Sequence, residues 1–146
     1  MKLSQEEMKK TTEKKWEKQK SEITLEVNDW LYSQGIEATD DQIEELVTRL
    51  HDTDEDFYVE LEGGEYRFIH EQDIWDIYVE GIEEITKECY LCVGQKDLPW
   101  WISIDWEKTA ETCYDADGYG HHFASYDGEE DEQEFWGELY YIFRTN

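Results

Sequence analysis

The stretch FYVELEGGEYRFI, residues 57–69, decides the fold class because it has the pattern of a β-hairpin. Apolar and polar side chains alternate over residues 57–61, and a second β-prone run follows over residues 66–69. The intervening Glu-Gly-Gly-Glu at 62–65 supplies the glycines that tight hairpin turns favour. Helical patterns flank this hairpin on both sides. We therefore expect an α+β fold, and a chain of 146 residues fits a single domain.

Two helices are predicted before the hairpin, because apolar side chains recur there at helical spacing. They are Ile23, Val27, Trp30 and Leu31 in a helix over 22–34, and Ile43, Leu46, Val47 and Leu50 in the next helix. Gly35 is expected to end the first helix. Thr39 is followed three positions later by Gln42, which is a capping-box pattern and predicts the start of the second helix.

Two more helices are predicted after the hairpin. Residues 71–92 have helical spacing and are expected to end at Gly94. Their apolar stripe consists of Ile74, Ile77, Tyr78, Ile82, Ile85 and Cys89. Residues 98–104 are expected to form an apolar loop or short strand. Asp105 follows them as the predicted N-cap of a short helix that reaches Tyr114.

The C-terminal residues predict a second hairpin. Closing strands are expected over residues 121–126 and 139–143, with a concentrated acidic loop at 127–134 between them. The expected architecture is therefore one α+β domain with about four helices and two β-hairpins.

Net charge is the most informative property of the composition. The chain has 39 Asp and Glu against 13 Lys and Arg, a formal charge of −26. A compact chain of this length is about 38 Å across, and duplex DNA of that length carries about 22 phosphate charges. Self-repulsion of this size destabilises a compact state, so we expect a compensating role such as binding a cationic partner. With 7 Trp, 10 Tyr and 5 Phe, the chain nevertheless has enough core-forming residues to fold.

The charge is unevenly distributed along the chain. Residues 1–20 contain seven Lys and four Glu, a net charge of +3, and we interpret them as a helical or flexible arm. Residues 21–146 contain the other six basic and 35 acidic residues, a net charge of −29, and form the predicted acidic α+β domain. The arm could fold back on the acidic domain or bridge two copies, so a homodimer is one of the expected states.

Acidic side chains on predicted helices and loops are the candidate binding residues, because a carboxylate held on a rigid element can replace a phosphate oxygen for Arg or Lys. These candidate pseudo-phosphates are Asp40, Asp41, Glu44, Glu45, Asp52, Asp54, Glu55, Asp56, Asp76, Glu80, Glu83, Glu84, Asp105, Glu107, Glu129, Glu130, Asp131 and Glu132. The competing interpretation is a solvated or salt-adapted surface.

Aromatic residues cluster late in the chain. They are Trp100, Trp101, Trp106, Tyr119, Phe123 and Tyr126. We expect most of them in the core. One or two exposed rings among acidic residues could anchor an interface, since Trp and Tyr are enriched at binding hot spots.

No metal, cofactor or catalytic site is expected. A zinc site could be assembled from Cys89, Cys92, Cys113 and one of the two histidines at 121–122. A second Cys pair is missing, however, so buried free thiols are the better interpretation. A Cys113–His121 dyad is the best candidate for catalysis. Carboxylates are so numerous that no acid–base pair stands out, and phosphate-binding and nucleophile-elbow motifs are missing from the sequence.

One stretch resembles a known family. Residues 98–110, LPWWISIDWEKTA, with residues 119–127 and the closing YYIF at 140–143, resemble the C-terminal part of ArdA-type antirestriction proteins. That pattern is a Leu-Pro, an Asp-aromatic-Glu, an Ala in a short helix and then a strand pair. The positions that carry over are Asp105, Trp106, Glu107 and Ala110.

The resemblance covers about the last third of the chain. The family's usual N-terminal segment is not found, and the Lys-rich start is foreign to it. Members are small acidic proteins of phages and mobile elements. The resemblance implies a DNA mimic that occupies the DNA-binding groove of restriction–modification enzymes. Related phage products that block other nucleic-acid enzymes, including CRISPR effectors, have a similar composition.

The expected function is therefore an acidic DNA-mimic inhibitor of a basic nucleic-acid enzyme, a restriction–modification or other host-defence protein. The alternative is an acidic or immunity-type module that binds a basic protein without competing with DNA. We expect no direct binding to nucleic acid or membranes, because both surfaces are anionic. The sequence has no apolar run long enough to span a bilayer and no signal-peptide pattern. Its three Cys suit reduced thiols, so a cytoplasmic location is expected.

Overall fold

The computed structural model describes residues 4–89 and 99–146, apart from the side chains of residues 11 and 12. The described residues form five helices and four strands: α1 Gln5–Gln34, α2 Asp40–His51, β1 Asp56–Leu61, β2 Gly64–His70, α3 Glu71–Cys89, α4 Trp106–Asp117, α5 Gly120–Phe123, β3 Asp131–Phe135 and β4 Glu138–Arg144. The predicted α+β class is confirmed. None of the described helices is long and apolar enough to cross a membrane.

The first helix, α1, is longer than predicted. Its N-terminus is a capping box, in which the Glu7 amide donates to Ser4 Oγ at 3.2 Å and the Ser4 amide donates to Glu7 Oε2 at 3.2 Å. It ends at Gly35, whose φ of 66° is readily adopted only by glycine. The helix predicted over 22–34 is therefore the C-terminal part of one continuous helix that also contains residues 5–20.

The start of α2 is confirmed in detail. The Gln42 amide donates to Thr39 Oγ1 at 3.2 Å, and the Thr39 amide donates to Gln42 Oε1 at 2.9 Å. Both bonds of the predicted capping box are therefore present. Asp40 and Asp41 in the first turn complement the helix dipole, and Arg49 does so in the last turn.

All four strands belong to one antiparallel sheet with the order β1-β2-β4-β3. In the first hairpin Phe57 pairs with Phe68, and Leu61 pairs with Gly64. This register leaves a two-residue turn at residues 62–63, where Gly63 has a φ of 93°. The two hairpins join because β2 pairs with β4, a contact that no local pattern predicts.

The second hairpin differs from the prediction. Residues 120–123 form the short helix α5, so the strand predicted over 121–126 is wrong. The hairpin partner of β4 is instead β3, which lies largely inside the predicted acidic loop at 127–134. Acidic residues are tolerated there because β3 is an edge strand, and its Glu132 and Glu134 are exposed to solvent while Phe135 is buried.

Helices cover both faces of the sheet. One core lies between α1, α2 and the first face, and a second lies between α3, α4, α5 and the opposite face. Neighbouring residues of β2 show the division, since Phe68 belongs to the first core and Ile69 to the second. Because α2 and α3 belong to different cores, their acidic surfaces lie on opposite sides of the sheet.

The helices of the second core confirm the predicted cap of α4 and correct two other predictions. Asp105 caps α4, accepting a hydrogen bond from the Lys108 amide at 3.1 Å, and α4 continues beyond Tyr114 to Asp117. In α3 the stripe is buried at Ile74 and Tyr78 but reaches solvent at Ile85 and Cys89. The stripe prediction fails at that end because α3, about 28 Å long, extends past the core that it covers. The predicted end at residues 92–94 lies outside the described residues.

Candidate acidic docking surface

Five carboxylates converge on one open groove formed by α2 and the loop that follows it. They belong to Asp41, Glu44, Glu45, Asp52 and Asp54, and the groove has a volume of about 530 Å³. Their grouping follows from helical geometry, because residues three and four apart share a face and the last turn carries the chain into the loop. We call these five residues the acidic groove.

Among the described residues that line the acidic groove, Arg49 is the one cation. The Arg49 guanidinium is 3.6 Å from a Glu45 oxygen and 3.6 Å from an Asp54 oxygen, and it lies over the Phe57 ring at 5.6 Å. Both ion pairs are substantially exposed, so each contributes little to stability. One guanidinium cannot neutralise five carboxylates, and the groove keeps a strong negative charge.

The loop at residues 52–55 is fixed to the sheet and to α2 by its backbone. The Tyr140 hydroxyl donates to the Asp54 carbonyl at 3.0 Å, and the His70 amide donates to the Glu55 carbonyl at 2.8 Å. The Asp54 amide donates to the Arg49 carbonyl at 3.1 Å. The acidic groove is therefore held on a hydrogen-bonded scaffold, which lowers the ordering cost of binding.

Asp56 has a different role from the other acidic residues of this region. Arg67 donates from Nε to Asp56 Oδ1 at 2.8 Å and from Nη2 to Oδ2 at 2.7 Å, and these bonds raise the pKa of the Arg67 guanidinium. The pair joins β1 to β2. The Arg67 charge offsets that of Asp56, so Asp56 attracts a cationic partner less strongly, although each of its oxygens keeps a second lone pair. Glu55, beside it, is exposed.

The C-terminal end of α2 is attached to α1 through an aromatic cluster. The Trp16 indole N–H donates to His51 Nδ1 at 3.1 Å, so Nδ1 must be the accepting nitrogen. The hydrogen therefore lies on Nε2, which donates to Gln19 Oε1 at 3.1 Å. Trp136 of the β3–β4 turn stacks on the same imidazole at 5.6 Å between ring centroids. These contacts fix α2, and with it the acidic groove, against the rest of the fold.

The predicted acidic residues of α3 lie on the far side of the molecule. Asp76, Glu80 and Glu84 are exposed, and Glu83 is 3.0 Å from Lys87 Nζ in an i,i+4 ion pair. Since α3 packs on the opposite face of the sheet from α2, the structure does not bring this set and the acidic groove together.

The acidic residues that precede and enter β3 surround a separate cavity of about 160 Å³. Its lining includes Glu129, Glu130 and Asp131, with Trp30 and Tyr66 behind them. The Trp30 indole N–H donates to Asp131 Oδ2 at 2.8 Å, which makes Asp131 a partner of the first core. Burial raises the pKa of the Glu130 carboxyl, and the neighbouring Glu132 carboxylate adds to the shift. Three predicted acidic residues remain, and all three are exposed. Asp40 lies in the first turn of α2, Asp105 is the N-cap of α4, and Glu107 lies in the first turn of α4.

A further cavity of about 280 Å³ lies between α3, α4 and α5. Its lining includes Cys113, His121, His122 and Asp117, so the thiol and imidazole of the predicted dyad do share one cavity. Burial lowers the pKa of His122, and the positive charges of Arg67 and His121 lower it further. Among the described residues no group of His, Cys, Asp and Glu is arranged to hold a metal ion.

The thiols differ from the prediction. Cys89 is exposed and Cys113 is half-buried, whereas buried thiols were expected. Cys89 is exposed because the end of α3 extends past the second core. Cys92 lies outside the described residues.

The late aromatic residues divide into two sets. Tyr119 and Phe123 are buried in the second core as predicted, and Trp106 is half-buried. Tyr126 is 59% exposed, so the expectation that most of the six rings lie in the core is wrong. Trp100 and Trp101 are the most exposed of the six, at 95% and 69%. Their exposure has a signal in the sequence, because two adjacent large rings after a proline match neither the period of a helix nor that of a half-buried strand.

Comparison of the chain with family models, curated proteins and solved structures gave no match. The resemblance of residues 98–110 to ArdA-type proteins therefore stays a prediction.

Proposed function

We propose that the protein is an acidic inhibitor that mimics the charge of nucleic acid and occupies the basic groove of a nucleic-acid enzyme. Restriction–modification enzymes and other host-defence proteins are the expected targets, and the encounter would take place in the cytoplasm. The protein acts in this proposal by binding, without catalysing a reaction.

The observation that carries the proposal is the acidic groove on its fixed scaffold. Its five carboxylates lie along a helix about 18 Å long and the loop after it. Arg and Lys side chains that bind phosphates can bind carboxylates through the same charge-assisted hydrogen bonds. A rigid array also offers them without the entropy cost of ordering a flexible acidic tail.

The proposal is tested by displacement of labelled duplex DNA from a panel of restriction–modification enzymes and CRISPR effectors. We expect the wild-type protein to displace DNA from at least one of them at about 50 mM salt, and displacement to weaken steeply as salt rises. If no enzyme is displaced at low salt, the proposal is wrong.

A pair of matched variants locates the binding surface. The first carries Asp41→Asn, Glu44→Gln, Glu45→Gln, Asp52→Asn and Asp54→Asn, and we expect it to lose at least about fivefold in potency, since surface charges contribute roughly 0.2–1 kcal/mol each. The control removes the same charge from five exposed acids elsewhere, Asp29, Glu37, Glu60, Glu88 and Asp115. Equal losses in the two variants would show that net charge, and not the acidic groove, is recognised.

The division of the acidic residues between two sides of the sheet favours a second candidate, an interaction module that binds a basic protein without competing with DNA. A partner that contacts α3 need not reach the acidic groove. Capture of a partner from host lysate, followed by a challenge with DNA, separates the two functions. A captured protein that DNA does not displace would support the second.

A further inference from the structure

Trp100 and Trp101 form an exposed aromatic tip just before α4. The Ile102 amide donates to the Pro99 carbonyl at 2.9 Å, which closes a four-residue turn. The two tryptophans are the central residues of that turn, and both rings project into solvent. We call these two residues the tryptophan tip.

The exposed charged residues that follow the tryptophan tip in the chain are mainly acidic. Asp105 and Glu107 are exposed at the start of α4, and Glu111 is exposed one turn later. Lys108 is an exposed basic residue of the same helix. Indole faces and carboxylates are both complementary to a guanidinium, which is planar and weakly hydrated, stacks on aromatic rings and pairs with carboxylates.

We propose that the tryptophan tip binds arginine side chains of the basic protein that the acidic surface attracts. This inference rests on the proposed function and adds a preference for Arg over Lys. The formal charge of −26 disfavours the other partners that exposed tryptophans could serve. Membranes and nucleic acids are anionic, and a second copy of the acidic domain carries the same charge.

The chemical distinction between the two cations makes the inference testable. An ammonium group is a compact and strongly hydrated charge, so it gains less from an indole face than a guanidinium does. The carboxylates attract both cations. Loss of the tryptophan tip is therefore expected to remove the Arg preference and to leave the general attraction for cations in place.

The experiment titrates the full-length protein with a labelled oligo-arginine peptide and an oligo-lysine peptide of equal length, at about 50 mM salt. We expect the wild-type protein to bind the arginine peptide about fivefold tighter or more. The Trp100→Ala/Trp101→Ala double variant should bind both peptides with nearly equal affinity. Tyr32→Ala is the control, because Tyr32 is 91% exposed on α1 and lies outside the tip. Circular dichroism checks that each variant is folded.

Three results would overturn the inference. The double variant could keep the Arg preference of the wild type, or Tyr32→Ala could lose it equally. The wild-type protein could also bind both peptides equally, which would remove the role of the tryptophan tip and leave the proposed function intact. Failure of both peptides to bind at low salt would instead overturn the charge-based function as well.

Discussion

Replacement of Tyr140 by Phe tests whether the acidic groove depends on a fixed scaffold. Tyr140 is fully buried in the first core, and its hydroxyl donates to the Asp54 carbonyl at 3.0 Å. A hydrogen bond of this kind contributes about 1 kcal/mol net, and a carbonyl left without a partner adds to the loss. Asp54 is half-buried, so water can replace part of the bond. We expect the free energy of unfolding to fall by about 1–1.5 kcal/mol, and Tm to fall by about 2–6 °C.

The effect should depend on pH in a defined direction. Burial raises the pKa of Tyr140 above its usual 10.0, and the carboxylates of Glu138 and Asp54 add to the shift. Above pH 10 the unfolded chain loses the Tyr140 proton while the folded protein keeps it. The wild-type protein therefore loses stability as pH rises through this window, and the Phe variant loses none from this site. The stability gap between the two proteins should be largest below pH 10 and should narrow above it.

Urea unfolding at about pH 8 and about pH 11, followed by circular dichroism, measures both effects. Tyr32→Phe is the control, because its hydroxyl belongs to a side chain that is 91% exposed. The reasoning fails if Tyr140→Phe is as stable as Tyr32→Phe at pH 8. It also fails if the gap between Tyr140→Phe and the wild type stays constant with pH.

Two further predictions concern the contact between α3 and α5. Gly81→Ala should destabilise the protein by about 1–3 kcal/mol in urea unfolding, because a Cβ at this position would collide with His122 Nε2. In an open helix the same substitution stabilises. The prediction is contradicted if the variant is more stable than the wild type, or if an added His122→Ala does not restore stability. His122→Gln should lower the free energy of unfolding more at pH 8 than at pH 5. The pKa of His122 is lower in the folded protein than in the unfolded chain, so the neutral imidazole stabilises the folded state. This contribution is complete above about pH 6.5 and is lost as pH falls through the folded pKa. A cost that does not change between these two pH values in urea unfolding would contradict the buried neutral imidazole.

Local chemistry explains which elements could be predicted. The capping boxes, the αL glycine and the hairpin turn are determined within four or five residues, so Thr39, Gly35 and Asp105 were placed correctly. The strand β3 was missed because four of the five residues Asp131–Phe135 are polar, and a charged edge strand has the composition of a loop. The stripe of α3 was overextended because periodicity does not show where the covering core ends.

The candidate site was predicted in composition but not in arrangement. The sequence identified acidic residues on α2 and in the loop after it, and these do converge on one groove. It could not show that Asp56 is occupied by Arg67, that Asp131 binds Trp30, or that α3 lies on the opposite layer. Each of these facts depends on contacts between residues distant in the chain.

The sequence by itself determined the charge, the α+β class, the first hairpin and the helix caps, because each depends on composition or on neighbours within one turn. Only the tertiary structure decided that β2 pairs with β4, that the two helical groups cover opposite faces, and that Trp30 donates a hydrogen bond to Asp131. The physical reason is that burial and long-range pairing are properties of the packed chain. A side chain is buried only when another element covers it, and the covering element has no signature in the local sequence.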